Sequence, residues 1–325
     1  MIVNQPKRPT LAEIEAARER IAPYIRHTPL VELPIGMKDR RIFLKLETLQ
    51  PIGAFKLRPA MSALLYRDRE ELANGVAVSS SGNMAYGTAW AAQKLGVPMA
   101  AYMMSNAPVT KIDGVRKLGG QVRFISGETW WSYITETAAP EGAELLINPV
   151  TDAGVIMGNG SIGLEILEDF PEPDWVLTPI GGGSLTVGVA AAIRAKNPRV
   201  KILAAEGEHA APATAALAAG KVVEIEAHDS FIKSIGGPSV VPGLWPVVRE
   251  LIDGTSVATL DQVVHAMRLL FTHAKVVAEG AGAASLAAAI HDPRLSGNIV
   301  CVISGGNIDA DDYVQALQGK VPVAK

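Results

Sequence analysis

Short apolar runs give way repeatedly to segments of helical period along this chain, an alternation that few architectures accommodate. Ile42–Leu46, Val76–Ser79, Met99–Met103, Gln121–Phe124, Trp175–Thr178, Lys201–Ala205 and Asn298–Ile303 read as strands. Leu57–Leu72, Ala85–Leu95, Val109–Leu118, Trp130–Ala139, Ile156–Asp169, Leu185–Lys196, Ala211–Ala219, Leu260–Ala274 and Ala283–Ile290 read as helices. Thr10 and Glu13 form a capping box for a further helix to about Tyr24, with Leu11, Ile14, Ala17 and Ile21 on one face. Apolar strands separated by helices imply parallel strands with crossover connections. The predicted fold class is therefore α/β, with open parallel sheets in two lobes. Residues 224–247, rich in Gly and Pro, carry no clear period.

Composition narrows the function classes. A net charge of −3 with both signs mixed offers no basic stripe for nucleic acid and no polybasic segment for a membrane surface. The apolar runs Ala190–Ile193 and Ala283–Ile290 are too short to span a bilayer, and Met1–Lys7 has no apolar signal core. With one cysteine, Cys301, on an apolar strand, no intrachain disulfide can form. The expectation is a soluble, cytoplasmic protein.

Ligands of open α/β sheets sit at the carboxyl ends of strands, and the loops after Val76–Ser79, Trp175–Thr178 and Asn298–Ile303 can face one cleft. Gly181-Gly182-Gly183-Ser184 lets backbone approach an anion at a helix start, but lacks the lysine of a P-loop and the spacing of a dinucleotide fingerprint. It reads as a cup for one phosphate, or as a sharp turn. Ser80-Ser81-Gly82-Asn83 suits a carboxylate, or is ordinary capping. Ser304-Gly305-Gly306-Asn307 places a hydroxyl at a strand end, and Glu279 suits the start of a helix. Lys56, in Gly53-Ala54-Phe55-Lys56-Leu57-Arg58-Pro59-Ala60, sits at a helix start, where burial would make its amine neutral and able to form a Schiff base. Taken alone, that segment fits an exposed first-turn lysine as well. The six histidines show no metal-ligand spacing.

Together these segments, with His27-Thr28-Pro29-Leu30 and Glu279 to Ala283, resemble the fold-type II pyridoxal-phosphate enzymes (the tryptophan synthase beta-like fold). The match is to the threonine/serine dehydratase and serine racemase branch, and runs from about Thr10 to Asn307. The resemblance implies pyridoxal 5'-phosphate as cofactor, with Lys56 as Schiff-base residue and Cα base and Ser81 as catalytic residue on the opposite face. It implies Phe55 beside the cofactor and Asn83 on the phenolic oxygen. Main-chain N–H groups of Gly181, Gly182, Gly183, Ser184 and Leu185 would hold the phosphate, and Ser304 would meet the ring nitrogen. Ser80, Ser81, Gly82, Asn83 and Met84 would take the substrate. The implied division is a large cofactor-binding domain, 1–55 and 148–325, and a small substrate-carboxylate domain, 56–147. A homodimer or other homo-oligomer is the family expectation.

The implied reaction is β-elimination from a β-hydroxy-α-amino acid to a 2-oxo acid and ammonia. A racemase or a β-replacement synthase shares the motifs, and a cofactor carrier without turnover is the non-enzymatic alternative. The chain end near Lys325 leaves no room for a C-terminal regulatory domain, so feedback control by isoleucine is not expected. Met84 and Tyr86 stand where the family has polar side chains, which suggests a pocket for a larger substituent, as in phenylserine. The racemases' divalent-metal site resembles Glu206, but Ala210 and Pro212 take its other positions, and no metal is expected.

Overall fold

The computed structural model describes residues 6–107, 109–135 and 144–323. Its strands are β1 (Leu30–Glu32), β2 (Arg40–Leu46), β3 (Val76–Ser79), β4 (Met99–Met104), β5 (Gln121–Ile125), β6 (Leu145–Ile147), β7 (Trp175–Pro179), β8 (Lys201–Gly207), β9 (Gly254–Ala258) and β10 (Gly297–Ile303). They form a six-stranded sheet, β1-β2-β10-β7-β8-β9, and a four-stranded sheet, β5-β4-β3-β6. All neighbours are parallel except β1, which runs antiparallel to β2 at the edge. The two-lobed parallel α/β architecture expected from the alternation is thus present.

The helices are α1 (Leu11–Ile21), α2 (Leu57–Leu65), α3 (Asn83–Leu95), α4 (Val109–Lys117), α5 (Gly127–Thr135), α6 (Ala153–Asp169), α7 (Ser184–Lys196), α8 (Pro212–Ala219), α9 (Trp245–Leu251), α10 (Leu260–Leu269), α11 (Gly280–His291) and α12 (Ala310–Leu317). The capping box of α1 is formed: Thr10 Oγ1 accepts from Glu13 N at 3.3 Å, and Glu13 Oε2 accepts from Thr10 N at 2.8 Å.

Side chains alternate across the large sheet, as strand geometry requires. Val176, Ile202, Val300 and Val302 pack under α6, α7 and α9. Leu177, Leu203, Ile299, Cys301 and Ile303 pack under α10 and α11. Cys301 is fully buried, and burial pushes its thiol far above the usual range, so it behaves as a small apolar residue. The small sheet buries Val76, Val78, Met99, Ala101 and Ile147 against α2, α3 and α4, and Ile21 of α1 and Val155 of α6 join that core.

Three differences from the sequence reading have local causes. The helix expected to reach Leu72 stops at Leu65. Beyond it Arg67 donates back to Ala63 O, and Asp68 Oδ1 takes Glu71 N at 2.9 Å, so side chains supply the bonds that a longer helix would. Strands β1 and β6, three residues each, are too short for a period to register. The helix expected over Trp130–Ala139 begins earlier, at Gly127, and its expected last turn lies outside the described residues.

Candidate active site

Lys56 is placed by a short antiparallel ladder. Gly53 takes φ +71°, a conformation natural to glycine, and a Cβ there would stand 2.8 Å from Asn307 Oδ1. The next residues pair with the segment leaving β10. Gly306 N donates to Gly53 O and Phe55 N donates to Ser304 O, each at 2.9 Å, while Ala54 bridges Gly305. Lys56 then caps α2 at the carboxyl end of β10. Its Nζ stands 5.0 Å from the centre of the Phe55 ring and has no hydrogen-bond or ion-pair partner among the described residues. Burial without a compensating carboxylate pushes the ammonium down to about 8.

The next cation, Arg58, is fully buried and differently treated. Its Nε and Nη2 each donate to Glu47 at 2.8 Å, and its Nη1 and Nη2 donate to Glu165 at 2.6 and 2.8 Å. Lys45 Nζ lies 2.8 Å from Glu165 as well. These carboxylates neutralise Arg58 and Lys45, and they pin α2 to β2 and α6.

The glycine loop opens a cup between β7 and α7. Gly183 caps α7 with φ +98°. The N–H groups of Gly181, Gly182, Gly183, Ser184 and Leu185 have no partner among the described residues. Ser184 Oγ is engaged with Pro149 O at 3.3 Å, so this residue offers its backbone rather than its hydroxyl. Orphaned donors at the positive end of a thirteen-residue helix fit a phosphate. Ser304 is 4 % exposed, and its Oγ has no partner among the described residues, which leaves a neutral hydroxyl for a ring nitrogen.

Asn83 opens α3 and faces the opposite lobe. Its Nδ2 donates to Glu279 Oε1 at 2.6 Å, and its Oδ1 accepts from Asn307 Nδ2 at 2.9 Å. This pair of bonds fixes the amide's orientation and leaves the second Nδ2 hydrogen for a ligand oxygen. Glu279 also accepts from Ser234 Oγ at 3.3 Å and lies 3.6 Å from Lys111 Nζ. Ser80 Oγ accepts from Gly82 N at 3.3 Å, and Ser81 Oγ accepts from Met104 N at 2.9 Å, so each hydroxyl keeps its proton for a ligand.

Met84 does not line the cleft. It is 1 % exposed within the core of the small sheet, because the first turn of α3 directs it inward. Tyr86 is engaged with α4, a ring carbon lying 3.1 Å from the Cβ position of Gly114, and packs beside Ile52, Ala54 and Leu57. The apolar pocket expected from this pair is therefore not built by Met84.

In sequence Glu279 reads as a helix-entry residue, and Lys111 carries no sign of a role. No local pattern marks either one, since their contacts join segments remote in the chain. Glu206 holds the start of α8. Its Oε1 accepts from Ala213 N at 2.8 Å, and its Oε2 accepts from Thr214 N and Oγ1 at 2.9 and 2.6 Å. Ala210 and Pro212 add no oxygen side chains, and no group of three His, Cys, Asp or Glu gathers among the described residues. Among those residues no helix is long and apolar enough to cross a membrane.

A family model described as "Pyridoxal-phosphate dependent enzyme" matches residues 21–305. The chain is 35% identical over 307 residues to serine racemase of Oryza sativa subsp. indica, covering 91% of this chain and 90% of the relative. It is 35% identical over 305 residues to L-threonine ammonia-lyase of Geobacter sulfurreducens, covering 91% of this chain and 75% of that protein. The structure of maize serine racemase superposes with a TM-score of 0.85 at 33% identity, covering 96% of this chain and 98% of that one.

Proposed function

The chain belongs to the pyridoxal-phosphate dependent enzyme family, and on that premise we propose that it is a dehydratase, an ammonia-lyase that eliminates the β-hydroxyl of an α-amino acid to give a 2-oxo acid and ammonia. The candidate substrates are of the threonine and serine type, including bulkier aryl members such as phenylserine. The observation that carries the reading is the buried Lys56 amine without a counter-charge, one residue after Phe55, whose N–H is bonded to Ser304 O.

Pyridoxal phosphate, when bound, supplies an aldehyde for an amine and a ring that accepts electrons. The residues present fit it. Gly181 to Leu185 would hold the phosphate through five N–H groups, Asn83 would donate to the phenolic oxygen, and Phe55 would pack alongside. Ser304 would offer the ring nitrogen a neutral partner, a weaker draw on the ring's electrons than a carboxylate, which suits prompt loss of a β-substituent. Lys56 is the cofactor's anchoring amine and the base for the substrate's Cα proton, a role its lowered pKa suits near neutral pH. Ser80, Ser81, Gly82 and Asn83 bind the substrate carboxylate through hydroxyl and amide donors, with Met84 contributing at most its backbone. In this reading residues 1–55 and 148–325 carry the cofactor and 56–147 the carboxylate loop. The enzyme works in the cytoplasm as a homo-oligomer.

A racemase reading rests on Ser81 as an acid on the second face of Cα. Ser81 Oγ accepts from Met104 N and keeps its proton, so this hydroxyl serves a carboxylate in the lyase and Cα in the racemase. Product analysis tests the choice: 2-oxo acid with ammonia supports the lyase, and an inverted amino acid without ammonia overturns it.

A further inference from the structure

We infer that Trp130 and Trp131 form an aromatic wall of the substrate cleft that selects an aryl group on the substrate's Cβ. The inference rests on the proposed amino-acid chemistry and adds which substrates that site prefers.

Helix α5 follows β5 and belongs by connection to the small sheet, where Tyr133 meets Tyr102 edge-on at 5.6 Å. Its neighbouring residues look the other way. Trp130, Trp131 and Ile134 pack on the core cluster of the large lobe that contains Phe55, Val150, Ile180 and Leu185. Phe55 precedes the lysine, and Ile180 and Leu185 bracket the phosphate cup. Both indoles are half-buried, and they stack on each other with centres 6.2 Å apart and planes 27° apart.

Several contacts tie α5 to the segments around the cup. Asn148 Nδ2 donates to Ile134 O at 3.0 Å while its Oδ1 accepts from Val150 N at 2.9 Å. Val150 in turn borders the cup, its Cγ2 lying 2.4 Å from the Cβ position of Gly182. On the far side the 234–238 loop lies between cup and indole. Ile235 Cα is 3.4 Å from the Cβ position of Gly181, and Trp131 Cη2 is 3.0 Å from that of Gly237. Ser79 Oγ donates to Trp130 O at 3.2 Å, which ties the wall to the strand that delivers the carboxylate loop. The Trp131 ring thus lies against Gly237, in the loop whose Ile235 borders the cup, and the backbone of Trp130 is tied to the strand before the carboxylate loop. A stacked, half-exposed pair there gains little from a methyl group and more from a second aromatic face.

Binding without turnover isolates the effect. Phenylalanine and alanine lack a β-hydroxyl, so a spectral titration of the holoenzyme reads affinity alone. The wild type is expected to bind phenylalanine more tightly than alanine. Trp131→Ala and Trp130→Ala should each lower that preference about tenfold or more, and Trp131→Phe should keep most of it. The kcat/KM ratio for phenylserine against threonine should fall in parallel. Should an alanine variant fail to fold, Trp131→Phe and Gly237→Ala, whose new methyl presses on the Trp131 ring, decide the matter by the same ratio. Equal loss of both ligands in every variant, or no phenylalanine preference in a wild type that dehydrates threonine, overturns the inference. A wild type that prefers phenylalanine yet releases no 2-oxo acid overturns the dehydratase reading and leaves the wall standing.

Discussion

The backbone N–H of Phe55 donates to the carbonyl of Ser304 at 2.9 Å, and through that bond the lysine at the mouth of α2 and the hydroxyl at the end of β10 share one site. The arrangement leaves Lys56 buried and without a counter-charge. A lysine whose folded pKa lies below its unfolded value destabilises the fold in full below the folded value, and this penalty shrinks as pH rises from the folded toward the unfolded value. Apoprotein carrying Lys56→Met is therefore expected to be more stable than wild type at pH 7, on the order of 1–3 kcal/mol, with the gap closing from about pH 8 upward. Urea denaturation at several pH values checks it, and an unchanging gap would count against the burial argument.

Arg58 answers for the seating of that lysine. Arg58→Leu leaves Glu47 and Glu165 buried beside each other's environment without their shared cation, and breaking such a pair costs about 3–5 kcal/mol. Arg58→Lys is expected to recover only part of the loss, since one ammonium cannot reproduce two bidentate contacts. Chemical denaturation of the two variants tests the order.

The alternation of strands and helices was legible because the parallel sheets are apolar on both faces, and β2, β3, β4, β5, β7, β8 and β10 stand near their expected places. The loops were legible as well, since glycine and serine at strand ends leave local signs. Contacts between loops were not. Glu279 meets Asn83 from the other lobe, and Lys111 reaches Glu279 from α4, so nothing within either segment announces the meeting. The burial of the Met84 side chain is equally hidden from the sequence, because the first turn of α3 turns it into the core one residue after Asn83.

Gly182→Ala tests the cup. The new methyl would stand 2.4 Å from Val150 Cγ2 and must displace either the loop or Val150. The affinity for pyridoxal phosphate is expected to fall by about tenfold or more, while that for pyridoxal, which carries no phosphate, changes little. Equilibrium titration of apoprotein with both compounds gives the comparison.

Asn307 is expected to act through Asn83. Asn307→Ala removes the donor to Asn83 Oδ1 and frees the amide to rotate. The holoenzyme's visible absorbance maximum should shift and kcat should drop about tenfold, with KM nearly unchanged. A rise in KM alone would place Asn307 in substrate binding instead.

Glu206 already accepts three hydrogen bonds from Ala213 and Thr214. Exhaustive treatment with a chelator, and later addition of magnesium or calcium, should leave turnover within twofold. A larger change would mean that a divalent cation acts through groups other than the one the fold offers.

The central claim is that the Lys56 amine carries the cofactor, and the visible absorbance spectrum of purified protein incubated with pyridoxal phosphate tests it most directly. A band that survives removal of free cofactor in wild type, and is absent from Lys56→Ala, is the expected result. A wild type that stays colourless, or a Lys56→Ala variant that keeps both the band and turnover, contradicts it.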